Sequence, residues 1–237
     1  MKKVIVLLIA AALLAAPAFG VIRNSKHDLS SSGTSTIKTN NVDETCVFCH
    51  TPHGGATGLL APLWNRSIPG GGLVATDLYN SATLDQTNSN PTTVLAAVNL
   101  SDAPLCLSCH DGGSLAGGLT NPPASNGNAQ PTFAASGLGF DTVGLASNVT
   151  GANGGDGSML RNDHPIGMDY GAVYTADNAG FYPETNANVD VGGLPLYTTT
   201  GVMWCSSCHD VHNQGAGQPF LNISNAGSAL CTTCHIK

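Results

Sequence analysis

The sequence predicts a chain that is mostly coil, with a few short α-helices and minimal β structure, ordered around something other than its own side chains. Two observations predict this. The first is composition. Of 237 residues only 10% are charged and 5% aromatic, while 29 are glycine and 13 proline. Ordinary globular domains carry roughly 25% charged residues. So little aromatic and charged content does not suit an enzyme domain resting on its own apolar core. Yet 42% hydrophobic residues is too many for a charged, disordered tail. The formal net charge is −7 with 8 Lys and Arg. There is no basic stripe, which argues against nucleic-acid binding.

The second observation is cysteine spacing. All eight cysteines fall in C-x-x-C pairs: Cys46/Cys49, Cys106/Cys109, Cys205/Cys208 and Cys231/Cys234. Each pair is followed directly by a histidine: His50, His110, His209 and His235. C-x-x-C-H is the attachment signature of c-type haem. Two thiols form thioethers with adjacent vinyl groups, and the next residue sets an imidazole on the iron. Disulfides are the default for an exported protein with this many cysteines. The last two pairs also resemble a zinc ribbon. Neither reading explains the four histidines. The expectation is a multihaem cytochrome c wrapped around four stacked, covalently attached haem c groups, with no cysteine left for a disulfide.

Along the chain, Met1-Lys2-Lys3, the apolar run Val4–Ala16 and Pro17-Ala18-Phe19-Gly20 form a Sec signal peptide over 1–20 by pattern. The apolar run is shorter than the ~20 residues a membrane span needs. The mature chain, 21–237, is expected to be one tetrahaem domain, secreted, with no membrane span. Residues 21–45 read as a polar N-terminal arm carrying His27, flexible at Ser30-Ser31-Ser32-Gly33. The first motif follows. Residues 54–100 are mostly loop, broken by Pro62, Pro69 and Gly70-Gly71-Gly72, with a short helix expected from Pro91 to Val98. Ser101-Asp102 opens a second short helix, with Pro104 tolerated in its first turn, that carries the second motif. Residues 117–157 lack periodicity, which a chain wrapping cofactors can tolerate. Gly151-Ala-Asn-Gly-Gly155-Asp-Gly157 reads as a turn with no phosphate role. His164-Pro165-Ile166-Gly167 is a rigid segment suited to presenting one imidazole. Val191–Val202 is an expected edge strand or hairpin. Trp204 leads into the third motif. Asn225–His235 reads as a capped helix carrying the fourth. The motifs are unevenly spaced, so no repeat period is expected.

Four histidines remain beyond the motifs: His27, His53, His164 and His212. Four haem irons would each have one vacant axial position, and the numbers match. Met159, Met168 and Met203 keep His/Met ligation of one haem open; it would raise that haem's potential. His50/His53 and His209/His212 are each three residues apart. Ligands on opposite faces of one iron need Cα atoms roughly 12–13 Å apart, given metal–nitrogen bonds of about 2 Å. Three residues span at most ~11 Å. So His53 cannot readily serve the haem of His50, nor His212 that of His209, and each must reach another haem. That forces haems into close pairs, which an electron wire requires. Irons with two histidines have no open position for substrate, which metal catalysis needs, so the chain is not expected to be an enzyme. Haem propionates would add negative charge, with Arg66 and Arg161 as candidate partners.

The run Ile22-Arg-Asn-Ser-Lys-His27-Asp-Leu, then Cys46-Val-Phe-Cys49-His50-Thr-Pro-His53, then His164-Pro-Ile-Gly, resembles the tetrahaem extracellular c-type cytochrome nanowires (OmcE-type) of metal-reducing bacteria. The resemblance implies a helical homopolymer of subunits joined head to tail. It implies bis-histidine haems in a continuous chain, and one distal histidine supplied by a neighbouring subunit, His53 first and His27 second. It implies electron transport from periplasmic or outer-membrane cytochrome donors to extracellular metal oxides or electrodes. The alternatives are a monomeric periplasmic shuttle and a multihaem reductase.

Overall fold

The computed structural model describes residues 22–57, 59–67, 78–79, 96–110, 118–133, 160, 163–186, 190–198, 201–212 and 220–237. They include all eight cysteines and all eight histidines. The signal segment, Met159, Arg161, the 151–157 turn and the first part of the helix expected from Pro91 lie outside the described residues.

The architecture is mostly coil, as expected. Four short helices are described: α1 (Ala103–His110), α2 (Tyr170–Ala176), α3 (Cys205–Cys208) and α4 (Ala229–Cys234). The only sheet among the described residues is a two-stranded antiparallel hairpin, β1 (Asp190–Val191) with β2 (Leu194–Pro195). It turns through Gly192 and Gly193, both at positive φ, where glycine avoids the Cβ penalty. Residues 96–99 are helical, so the end of the helix expected near Val98 is present. α1 begins as predicted: Ser101 Oγ accepts from the Ala103 N–H at 3.0 Å, and Pro104 sits in the first turn, where its missing N–H costs no helical bond.

Two expectations change. The helix read from Asn225 breaks at Gly227 (φ 62°) and restarts as α4 after Ser228, itself at φ 66°. Asn225 gives no side-chain cap. The N-terminal arm is folded, and its serine run is not a loose tether. Asp28 and Ser30 are buried. The Asp28 carboxylate accepts from the Asn24 N–H (2.7 Å), the Ser30 N–H (3.2 Å) and Ser30 Oγ (2.5 Å). Burial alone would raise the Asp28 pKa, but these donors and the charge of Arg23 pull it below the usual carboxylate value. Thr39 N–H to Leu29 carbonyl (2.9 Å) and Ser31 N–H to Val42 carbonyl (2.7 Å) close the segment on itself.

Among the described residues the buried apolar side chains form three clusters. One joins Leu29, Val42, Val47, Phe48 and Leu119 beside Cys49. A second joins Leu78, Val98, Ala103 and Leu160 beside Cys205. The third joins Tyr170, Val191, Leu194, Leu196 and Met203 around Cys234. Each of these clusters abuts a C-x-x-C-H cysteine.

Candidate haem-binding site

The four motifs share one local shape. In three of them the histidine N–H returns to the carbonyl of the first cysteine: His50 to Cys46 (2.8 Å), His209 to Cys205 (3.1 Å) and His235 to Cys231 (3.0 Å). The other motif lies within α1. One helical turn therefore sets positions i, i+3 and i+4 on a common face. Two thiols and one imidazole project together in each motif. No disulfide joins the eight cysteines, and among the described residues no three His, Cys, Asp or Glu side chains converge as a metal cage.

Three motifs are clamped by a returning segment at the second cysteine's carbonyl. Cys49 accepts from the Asn65 N–H, Cys208 from the Asn222 N–H, and Cys234 from the Tyr182 N–H, each at 2.8 Å. Two of these clamps match in detail. Thr51 N–H bonds Leu63 carbonyl (2.9 Å), and Asp210 N–H bonds Phe220 carbonyl (2.8 Å). His50 bridges to Trp64, and His209 to Leu221. Asn65 Nδ2 donates to Val47 carbonyl (2.7 Å), and Asn222 Nδ2 to the Ser206 and Ser207 carbonyls (2.9 and 3.0 Å). Leu63 and Phe220 even share a positive φ, 56° and 54°. These are the two C-x-x-C-H-x-x-H units. Sequence reasoning missed their clamps, although a signal existed: Pro62-Leu-Trp-Asn65 follows the first unit and Pro219-Phe-Leu-Asn222 the second.

The histidines meet in pairs. The ring centroids of His50 and His212 are 6.3 Å apart, those of His164 and His235 6.3 Å, and those of His27 and His110 6.1 Å. Two imidazoles on opposite faces of one iron have centroids about 6.2 Å apart, from metal–nitrogen bonds of about 2 Å plus about 1.1 Å from nitrogen to ring centre on each side. Each pair combines one motif histidine with one of the remaining four. His53 is exposed, and no histidine ring faces it among the described residues. His50 Nδ1 lies 3.0 Å from the Pro62 carbonyl, and His164 Nδ1 3.0 Å from the Pro165 carbonyl. Such bonds fix the tautomer and leave Nε2 for metal. His27 is held neutral, its pKa lowered to about 4 by burial and then by His110, His209 and His212. Burial and the neighbouring His164 lower that of His235. Neutral imidazole is the form that binds metal. Met168 and Met203 are buried, and Met203 packs in the third apolar cluster.

The motifs also touch one another. The Cys205 thiol is hydrogen-bonded to that of Cys106, which with burial raises its pKa well above the ordinary value. The Asp102 carboxylate, at the start of α1, accepts from the Cys205 and Ser206 N–H groups at 3.1 and 2.8 Å. It thereby caps α3, tying the second motif to the third. Burial, then the nearby Cys109, pushes the Cys49 thiol up to about 12, so the first motif borders the second. Burial and the charge of Cys231 raise Cys208, so the third borders the fourth.

Residues 199–237, which span the third and fourth motifs, match the family described as Doubled CXXCH motif. This marks a multihaem c-type cytochrome-like protein. No curated protein matches the chain. The paired motifs support covalently bound haem c and a role in electron transfer. The donor set fits the group: one turn carries both thiols and the imidazole in each motif, three histidine pairs stand at two-sided ligation distance, and apolar clusters lie beside motif cysteines. Haem bound there supplies a one-electron iron couple. Among the described residues no helix is long and apolar enough to cross a membrane.

Proposed function

We propose that the chain is an exported tetrahaem cytochrome, assembling into a filament that conducts electrons between bis-histidine haems to extracellular acceptors. Each motif holds one haem through Cys46/Cys49, Cys106/Cys109, Cys205/Cys208 or Cys231/Cys234. Within the chain His50 pairs with His212, His110 with His27, and His235 with His164. His53 leaves its own subunit and ligates a haem of a neighbouring copy. A heterologous contact that does not close generates a filament. Exposed Leu60 and Leu63 (55% and 46%) lie on the loop following His53 and give that contact apolar surface. With both axial positions filled, the irons bind no substrate, and the chain is an electron carrier rather than an enzyme.

The observation that carries this reading is the set of three facing histidine pairs beside one exposed histidine without a facing ring. Negative-stain images of the purified, haem-loaded protein test it. Filaments are expected, and His53→Ala should abolish them while four haems stay attached. Intact filaments from that variant would refute the role of His53. Monodisperse wild-type protein of monomer size would leave the periplasmic shuttle instead. A high-spin haem signal in assembled protein would indicate a reductase.

A further inference from the structure

The extended segment Trp64-Asn65-Arg66 places two buried hydrogen-bond donors without adequate acceptors between the first and second motifs. Trp64 and Arg66 are only 9% and 5% exposed. The segment is held extended by bridges from Trp64 to His50 and from Arg66 to Leu119. Side chains alternate along an extended chain. Asn65 turns one way, with Nδ2 on the Val47 and Asn121 carbonyls. Trp64 and Arg66 therefore share the other side.

Among the described residues the first donor has no acceptor and the second has only a neutral one. Trp64 Nε1 is buried with no partner, although a buried indole N–H normally has one. Its ring stands edge-on to His50, with centroids 5.8 Å apart. Arg66 Nε and Nη2 both donate to one neutral acceptor, the Ser108 carbonyl inside the second motif, at 3.3 and 3.2 Å. Guanidinium groups keep their proton in proteins, and a buried charge without a counter-charge is strongly disfavoured. Among the described residues no carboxylate pairs with Arg66. Space is kept for the guanidinium: a Cβ on Gly118 would come within 2.5 Å of Nη2. The Arg66 charge also lies near enough to the Cys49 thiol to oppose the rise that burial imposes on it.

We propose that Trp64 and Arg66 form a carboxylate-binding site filled by a propionate of the haem pair attached at Cys46–His50 and Cys106–His110. This rests on the haem reading above. Maturation would bring a negative charge to a place where no carboxylate among the described residues faces the Arg66 charge. Arg66 neutralises that carboxylate and Trp64 orients it. The pair is a positioning device that also sets a potential, since an unneutralised carboxylate near an iron favours its ferric state.

The test is spectroelectrochemical titration with resonance Raman of the purified haem-loaded protein and its Arg66→Gln, Arg66→Lys and Trp64→Phe variants. R66Q should lower one midpoint by about a tenfold change in its reduction equilibrium, about 59 mV for one electron. It should also shift a propionate bending band. R66K should restore most of the midpoint, and W64F should move the same band with a smaller drop. Wild-type potentials and bands in both R66Q and W64F, with all haems attached, would overturn the proposal. If R66Q fails to mature, an unchanged propionate band and unchanged potentials in W64F overturn it equally. Haemochrome assay and peptide masses separate the two levels of argument: a wild-type protein lacking haem at either motif defeats the haem reading instead.

Discussion

The two C-x-x-C-H-x-x-H units have the same local construction and opposite outcomes. Each has a one-turn motif and a returning segment with an asparagine whose backbone and side chain hold the motif's carbonyls. In each the second histidine is pushed away from its own motif by chain length. His212 of the second unit comes to face His50 of the first. His53 of the first unit faces solvent. The same local unit is thus used once inward and once outward.

The sharpest way to break the comparison is to remove the two histidines separately. His212→Ala should also leave the iron at His50 five-coordinate, so the dissociated subunit should give a larger high-spin signal than the wild-type subunit in electron paramagnetic resonance of the ferric protein. His53→Ala should leave in-chain ligation untouched and act only on assembly. If both variants gave the same spectrum in the dissociated subunit, the inward and outward roles would be wrong.

The clamps should differ in strength because their burial differs. Asn65 is fully buried, and its side chain makes three hydrogen bonds, including one accepted from the Asn121 N–H at 2.8 Å. Asn65→Ala strands buried backbone groups, each costing about 1–3 kcal/mol when left unsatisfied. We expect a loss of about 3 kcal/mol in denaturant unfolding of the haem-loaded protein. Asn222 is half-buried, with two bonds to adjacent carbonyls, and Asn222→Ala should cost about 1–2 kcal/mol. Equal losses would show that burial does not set the difference.

The sequence disclosed the chemistry better than the arrangement, for physical reasons. Covalent attachment demands C-x-x-C-H over five consecutive residues, so the donor set is local and readable. The coil-rich fold was readable too, because glycine, proline and a shortage of aromatics leave little else. Pairings such as His50 with His212 join residues 162 apart across loops without periodicity, and no local rule encodes them. What chain length did show is that His53 and His212 must leave their own haems. Leu63 and Phe220 at positive φ were unreadable, since bulky residues rarely adopt that conformation. The arm misled because Ser30 looks like linker composition. Its burial depends on Asp28 two residues earlier.

The smallest expected effect lies at the entrances to the two units. The first unit's turn, Cys46–Phe48, follows Thr45, which gives no side-chain cap. The second unit's α3 is capped from outside, by Asp102 at the head of α1. A carboxylate at a helix N-terminus satisfies otherwise unpaired N–H groups, and α3 is too short to hold itself. The cap therefore does for the second unit what burial of Val47 and Phe48 does for the first. Asp102→Ala should cost about 1 kcal/mol and loosen the second motif against the third, leaving the first unit unchanged. Hydrogen exchange would show this as faster exchange at the Cys205 and Ser206 amides, with Asn65 still protected. Uniform loosening of both units would mean that they are coupled through the haems more tightly than through the polypeptide.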